Sequence, residues 1–206
     1  MFVAELFEAT ASPIQKTLVI MPGGFHPFHT GHVALYNEAV RAFPGADVYV
    51  AATNDTKRRP FPFESKKELA ELAGIPAGRF VQVKSPFRAN EIVDHYDPNT
   101  TALIFVRSEK DRNEQPHAGG TKKDGSPAYL QPLAKRPKPM SQHGYMAYLP
   151  TIEFAGGITS ASEIRGQWPT ADTKTKSALV QTLYPRTKGN PKLVAHVVDL
   201  LNQALL

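Results

Sequence analysis

The chain has 206 residues, 41% of them hydrophobic, enough to bury a real core and to make one domain the default. It carries no cysteine, which excludes disulfides, thiolate metal sites and cysteine nucleophiles. A formal charge of +5 and a pI near 9.4 favour an anionic partner, either a polyphosphate or nucleic acid, without choosing between them.

Residues 1–15 hold a short apolar stretch ending in "TASP" and read as an N-terminal arm without a catalytic role. With neither an apolar run of about eighteen residues nor a basic-then-apolar leader, the expected location is the cytoplasm, with no membrane partner. Lys16 to Met21 form a continuous apolar run that predicts a central strand buried on both faces. Next comes "GGFHPFHTGH", Gly23 to His32, which concentrates three of the seven histidines where that strand ends. Val33, Tyr36, Val40 and Phe43 then recur at helical spacing, "FPG" closes the helix, and Ala46 to Thr53 begin another strand.

The alternation continues through a helix at Ser65 to Leu72, a strand at "RFVQV", a helical segment from Ala89 to Tyr96, and strands at "TALIFV" and "GYMAYLP". Strands alternating with helices predict a doubly wound α/β domain, a parallel sheet covered on both faces. Ligands of such sheets bind beyond the carboxyl ends of the strands, which places the histidine loop at the expected site. Residues 112–142 break the pattern with a basic segment rich in glycine and proline, read either as a phosphate-facing flap or as a solvated insertion. Two C-terminal helices over 169–206 are expected to pack on the core. The second is opened by Asn190 and Pro191, with Leu193, Val197, Leu200 and Ala204 on one face.

A strand followed by Gly23 and Gly24 lets the backbone turn sharply and come close to a ligand, and a helix N-terminus follows at Thr30-Gly31. His29 and His32, three residues apart, can both donate to phosphate oxygens and stabilise charge on a phosphoryl group. "GGFHPFHTGH" resembles the HxGH signature, GxFxPxHxGH, of the nucleotidylyltransferase superfamily, in which the two signature histidines contact the nucleotide phosphates. Here they correspond to His29 and His32, while His26 stands where the family often has Asp or Asn. Gly23, Gly24, Phe25 and His26 accordingly fall in the implied nucleotide-binding set.

A second block, "GGITSASEIRG", Gly156 to Gly166, is similar to the family's ISSTxIR motif. Ser160 and Glu163 fit a capping box, and with the hydroxyls of Thr159 and Ser162 and the charge of Arg165 the segment fits a site for β and γ phosphates. "NDTKRRPFPFESKKELAEL", Asn54 to Leu72, resembles the stretch of pantetheine-phosphate adenylyltransferases whose lysine holds the acceptor phosphate. That implies Lys57, with Arg58 or Arg59 as alternatives because the spacing differs by about one residue. "IFVRSEKD", Ile104 to Asp111, ends a strand where the family contacts nucleotide or acceptor, which makes Arg107, Ser108 and Asp111 candidates.

The resemblance spans about residues 16–168, and the insertion with "GYMAYLP" also resembles phage-encoded members, for which the location would be the host cytoplasm. It implies a Rossmann-like nucleotidylyltransferase domain that transfers a nucleotidyl group, by preference adenylyl from ATP, to a small phosphomonoester with release of pyrophosphate. Mg2+ would arrive with the NTP, and no protein-held metal is expected. The competing readings are a cytidylyltransferase of the same fold, a non-catalytic nucleotide-binding or particle-associated protein, and a nucleic-acid binder. Nucleic acid is the less favoured partner, and a homo-oligomer is compatible with each.

Overall fold

The computed structural model describes residues 14–57, 60–150 and 160–206. Most of the N-terminal arm, Arg58, Arg59 and Thr159 therefore lie outside the described residues. Strand β1 (Lys16–Gly23) leads through the histidine loop to α1 (Thr30–Ala42), β2 (Asp47–Ala52), α2 (Phe63–Ala73), β3 (Phe80–Gln82) and the short α3 (Asn90–Val93). Then come β4 (Thr101–Ser108), β5 (Leu130–Pro132), β6 (Gly144–Leu149), α4 (Ala161–Gln167), α5 (Thr173–Leu183) and α6 (Pro191–Leu205).

The strands form one parallel six-stranded sheet in the order β3-β2-β1-β4-β6-β5. Continuous apolar runs suit such a sheet because alternate side chains must satisfy two cores at once. In β1, Val19 and Met21 join one buried cluster while Leu18 and Ile20 join the other. In β4, Ile104 and Val106 divide from Leu103 and Phe105 in the same way. The first cluster is roofed by α1, α2 and the C-terminal helices, and the second by the α3 region together with Phe87, Tyr96 and Met140. This is the Rossmann-like α/β architecture expected from the alternation of elements. Among the described residues no helix is long and apolar enough to cross a membrane.

The C-terminal helices are fastened to the core through polar as well as apolar groups. Tyr184, just after α5, is fully buried and donates its hydroxyl to the Phe28 carbonyl at 2.8 Å, tying the C-terminal layer to the histidine loop. Trp168 is equally buried, and its indole N–H donates to Asn202 Oδ1 of α6 at 3.0 Å. These bonds matter because a buried polar group without a partner costs roughly 1–3 kcal/mol.

Several local expectations shift. In α1 the buried stripe centres on Tyr36 and Ala39, and Val40 is 45% exposed, since alanine on the contact line lets the helix approach the sheet. In α6 the buried positions are Val194, Val197 and Leu201, with Leu200 and Ala204 packing at the flank. The helical segment expected over Ala89 to Tyr96 contracts to Asn90–Val93.

The basic segment is not a structureless excursion. Its residues Leu130–Pro132 supply the edge strand β5, Thr121 pairs with Pro127 across a tight turn, and the Met140 amide donates to the Thr101 carbonyl at 2.8 Å.

Candidate active site

The strand order changes direction beside β1, whose neighbours are β2 on one side and β4 on the other. Connections leaving their carboxyl ends must part there, and the gap between them is where open α/β sheets bind ligands. A cavity of about 420 Å³ occupies this gap. Its wall includes Gly23, Gly24 and Phe25 after β1, His32 of α1, Thr53 and Asp55 after β2, Phe87 after β3, and Arg107, Ser108, Asp111 and Glu114 at the end of β4. The volume suits a small organic ligand.

The loop geometry explains Gly23. Phe25 adopts a left-handed backbone (φ 45°) and folds its ring back over Gly23, where a Cβ would meet the ring at 2.6 Å. Phe25 and Phe28 then brace the His32 ring, with centroids 5.1 and 4.9 Å away.

The imidazoles of His29 and His32 are held by reciprocal bonds with the start of α1. The Gly31 amide donates to His29 Nδ1 at 3.1 Å, and the His29 amide donates to His32 Nδ1 at 3.2 Å. An Nδ1 that accepts carries no proton, so in each neutral ring the proton sits on Nε2. The charges agree with that tautomer. Burial, and after it the ammonium of Lys110, lowers His29 to about 3. Although it lines the cavity, His32 is held well below the ordinary imidazole value by burial in the surrounding protein, then by His29 and Lys110. Both rings are held neutral at pH 7, with the proton on Nε2.

The two histidines are not equivalent in position. Their rings lie 3.9 Å apart, yet only His32 reaches the cavity wall, while His29 is 3% exposed and sits behind it. Beside them, the Thr30 hydroxyl oxygen is buried with no hydrogen-bond partner among the described residues, a group that a ligand oxygen or water can complete.

The second motif approaches from the other direction. Arg165 of α4 donates through one nitrogen to the His26 carbonyl at 2.5 Å and through another to Ser162 Oγ at 2.9 Å. Ser160 caps α4, its Oγ accepting from the Glu163 amide at 3.2 Å. The two motifs, more than a hundred residues apart in sequence, are thus joined directly, although Ser160, Ser162 and Arg165 are not part of the cavity wall. His26 itself turns its ring edge-on to Phe61, 4.9 Å away.

Arg107 is on the wall, but its guanidinium is engaged locally. It donates to the Glu114 carbonyl at 2.9 Å and to the Glu114 carboxylate at 2.6 Å, and it is 9% exposed. This ties the turn carrying Lys110 and Asp111 back to the end of β4, with Asp111 and Glu114 lining the cavity. Burial, and then the nearby Glu114, raises Asp111 above the ordinary carboxylate range. Lys57 is an exposed turn residue outside the wall, whereas Asp55 from the same turn lines it. Behind this turn Lys66 is fully buried and donates Nζ to the Thr53 carbonyl at 2.7 Å.

Sequence reasoning passed over Lys110, Lys66, Asp55 and Phe87. The signal for Lys110 was its place in "RSEKD" immediately after a buried strand, and for Phe87 the "SPF" turn after β3. Among the described residues no group of three or more metal-ligating side chains is gathered. No protein-family model matches this chain, and no curated protein matches it.

Proposed function

We propose that the chain is a nucleotidyltransferase that moves a nucleotidyl group, by preference adenylyl from ATP, onto a small phosphomonoester. The observation that carries this reading is the reciprocal bonding of His29 and His32 at the start of α1. It produces two neutral Nε2–H donors, one on the wall of a cavity at the switch point of a parallel sheet. The resemblance of "GGFHPFHTGH" and "GGITSASEIRG" to the superfamily's two motifs agrees with it.

In this reading an oxygen of the acceptor phosphate attacks the α-phosphorus in line. A new P–O bond forms, the bond to the bridging α–β oxygen breaks, and pyrophosphate departs with that oxygen. Both reactants are phosphates, so no protein nucleophile is required and the work is positioning and charge stabilisation. His32 donates to the α-phosphoryl oxygens as charge grows on them, and His29 acts from the second row. Lys110 adds positive charge beside both rings. Mg2+ enters as part of the NTP substrate, and Asp55 and Asp111 are the wall carboxylates it would meet.

Ser160, Ser162 and Arg165 are assigned to the β and γ phosphates. Arg165→Ala is expected to weaken NTP binding about 10-fold or more while leaving nucleoside monophosphate binding nearly unchanged, since a charged hydrogen bond contributes roughly 1.5–3 kcal/mol. Titration of the variant with NTP and with NMP checks this; equal losses for both remove Arg165 from the polyphosphate site.

Lys57 is assigned to the acceptor phosphate. Lys57→Ala is expected to raise the acceptor KM about 10-fold or more with little change in the NTP constant, as measured by varying each substrate in turn. An unchanged acceptor KM transfers the role to Arg58 or Arg59. The decisive experiment for the function is a screen of NTPs against phosphomonoesters for pyrophosphate release. Release with CTP in place of ATP selects the cytidylyl reading. NTP binding without release from any pair selects a non-catalytic nucleotide-binding protein.

A further inference from the structure

From the outer edge of the sheet, we infer a second binding surface, for single-stranded nucleic acid, built on β5 and the chain either side of it. Between residues 120 and 140 the sequence carries five cations, Lys122, Lys123, Lys135, Arg136 and Lys138, against one carboxylate, Asp124. All five are exposed, and among the described residues none forms an ion pair. Asp124, whose carboxylate accepts from the amide and hydroxyl of Ser126 at 3.0 and 2.6 Å and feels the charge of Lys122, offsets one of the five cations and leaves the segment strongly basic.

The backbone holds this charge in place. Lys122 and Lys123 sit at the tip of a turn closed by the Thr121–Pro127 pairing and by the Lys122 amide donating to the Ser126 carbonyl at 2.7 Å. The other three follow β5, where the Lys138 amide donates to the Tyr145 hydroxyl at 2.8 Å. Among the described residues β5 is the last strand of the sheet, and no further strand covers this flank.

A basic surface alone selects any polyanion. What selects bases is Tyr129, placed between the two basic stretches. Its hydroxyl donates to the Met140 carbonyl at 2.7 Å, and its ring lies so close to Gly144 that a Cβ there would meet it at 2.9 Å. The ring is thereby fixed on one side by backbone while 43% of the residue remains exposed. A pinned, solvent-facing aromatic flanked by cations is the arrangement on which single-stranded nucleic acids stack their bases and neutralise their phosphates. A duplex offers phosphates but hides its base faces. Because β4 and β6 separate this flank from β1, the surface is distinct from the cavity and does not depend on the proposed catalytic reading.

The test is fluorescence anisotropy of the full chain with a labelled oligothymidylate of about 20 nucleotides. Binding is expected at low salt, with log K falling against log salt at a slope of about −2 to −3.5, as for three to five phosphate contacts to a single strand. Lys135→Glu/Arg136→Glu/Lys138→Glu and Lys122→Glu/Lys123→Glu should each weaken it about 10-fold or more. Tyr129→Ala should weaken it by a similar factor, in line with loss of one stacked base. Should that variant fail to fold, an abasic strand of equal length replaces it and should bind wild-type protein about 10-fold less tightly than oligothymidylate. Excess Mg-ATP should not displace the strand.

The inference is overturned by any of four results: charge reversals without effect, equal binding of abasic and base-bearing strands, displacement by Mg-ATP, or equal binding of polyglutamate or anionic lipid vesicles.

Discussion

His32→Asn is expected to lower turnover by roughly 100-fold or more, the scale of losing one preorganised transition-state donor, while leaving the fold intact. Asparagine is the informative replacement because its amide oxygen can occupy the place of Nδ1 and accept from the His29 amide, as His32 does at 3.2 Å. The cap is kept and Nε2–H is lost. His32→Gln makes the opposite trade, extending an amide N–H toward the position of Nε2, and should recover part of the lost rate at some cost in stability. His32→Ala loses both groups and should show both deficits. Steady-state kinetics with an active NTP and phosphomonoester pair, together with thermal melts of the three variants, separates the roles. Unchanged turnover in folded His32→Asn removes the imidazole from the chemistry and with it the main support for the transferase reading.

The parts of this molecule that are legible in its sequence are those fixed by local pattern. Within the run from Lys16 to Met21 the apolar residues Leu18 to Met21 call for burial on both faces and have it, and the glycines and histidines after them mark the carboxyl end as a candidate site. The phase of a helix against its neighbours is less legible. Val40 and Ala39 are equally compatible with the stripe of α1, and the choice of Ala39 depends on how closely the helix meets the sheet.

β5 is illegible for a different reason. Leu130–Pro132 is three residues long and ends in proline, so nothing in it announces a strand, and its pairing exists only because β6 offers an edge.

The site divides along the same line. His29 and His32 announce themselves, but Lys110 is one charge within "SEKDR", and its influence on the histidines requires β4 to lie beside β1. Arg107 shows the converse. Its position at the end of a strand suggests a ligand contact, and it does line the cavity, but its fork also grips Glu114, an acid whose partnership no spacing rule would have identified.

The same two imidazoles make the protein acid-sensitive, with a defined sign. In the unfolded chain a histidine takes up its proton near pH 6.5, whereas in the native protein His29 resists until about 3 and His32 is also held well below the ordinary value. As pH falls below 6.5 the unfolded state binds protons that the native state refuses, so the equilibrium moves toward unfolding. Stability attributable to His29 is therefore complete above the unfolded value near pH 6.5 and declines at roughly 1.4 kcal/mol per pH unit below it, with His32 acting in the same direction. By about pH 5 His29 alone should cost roughly 2 kcal/mol, a sizeable share of a typical domain's stability, and His32 adds to the loss in the same direction. That window lies above the ordinary titration range of carboxylates, so most acid groups do not confuse it.

Asp111 acts in the opposite sense. Its raised carboxyl binds protons more readily in the folded state, and this offsets part of the loss toward the acid end. Urea denaturation at steps between about pH 7 and 5 measures the slope. His29→Asn/His32→Asn, which keeps an acceptor at each cap but has no imidazole to titrate, should flatten it. If wild type and the double variant lose stability in parallel over this range, the histidines are not held neutral by burial. The Nε2–H tautomer assigned to the site then loses its electrostatic basis.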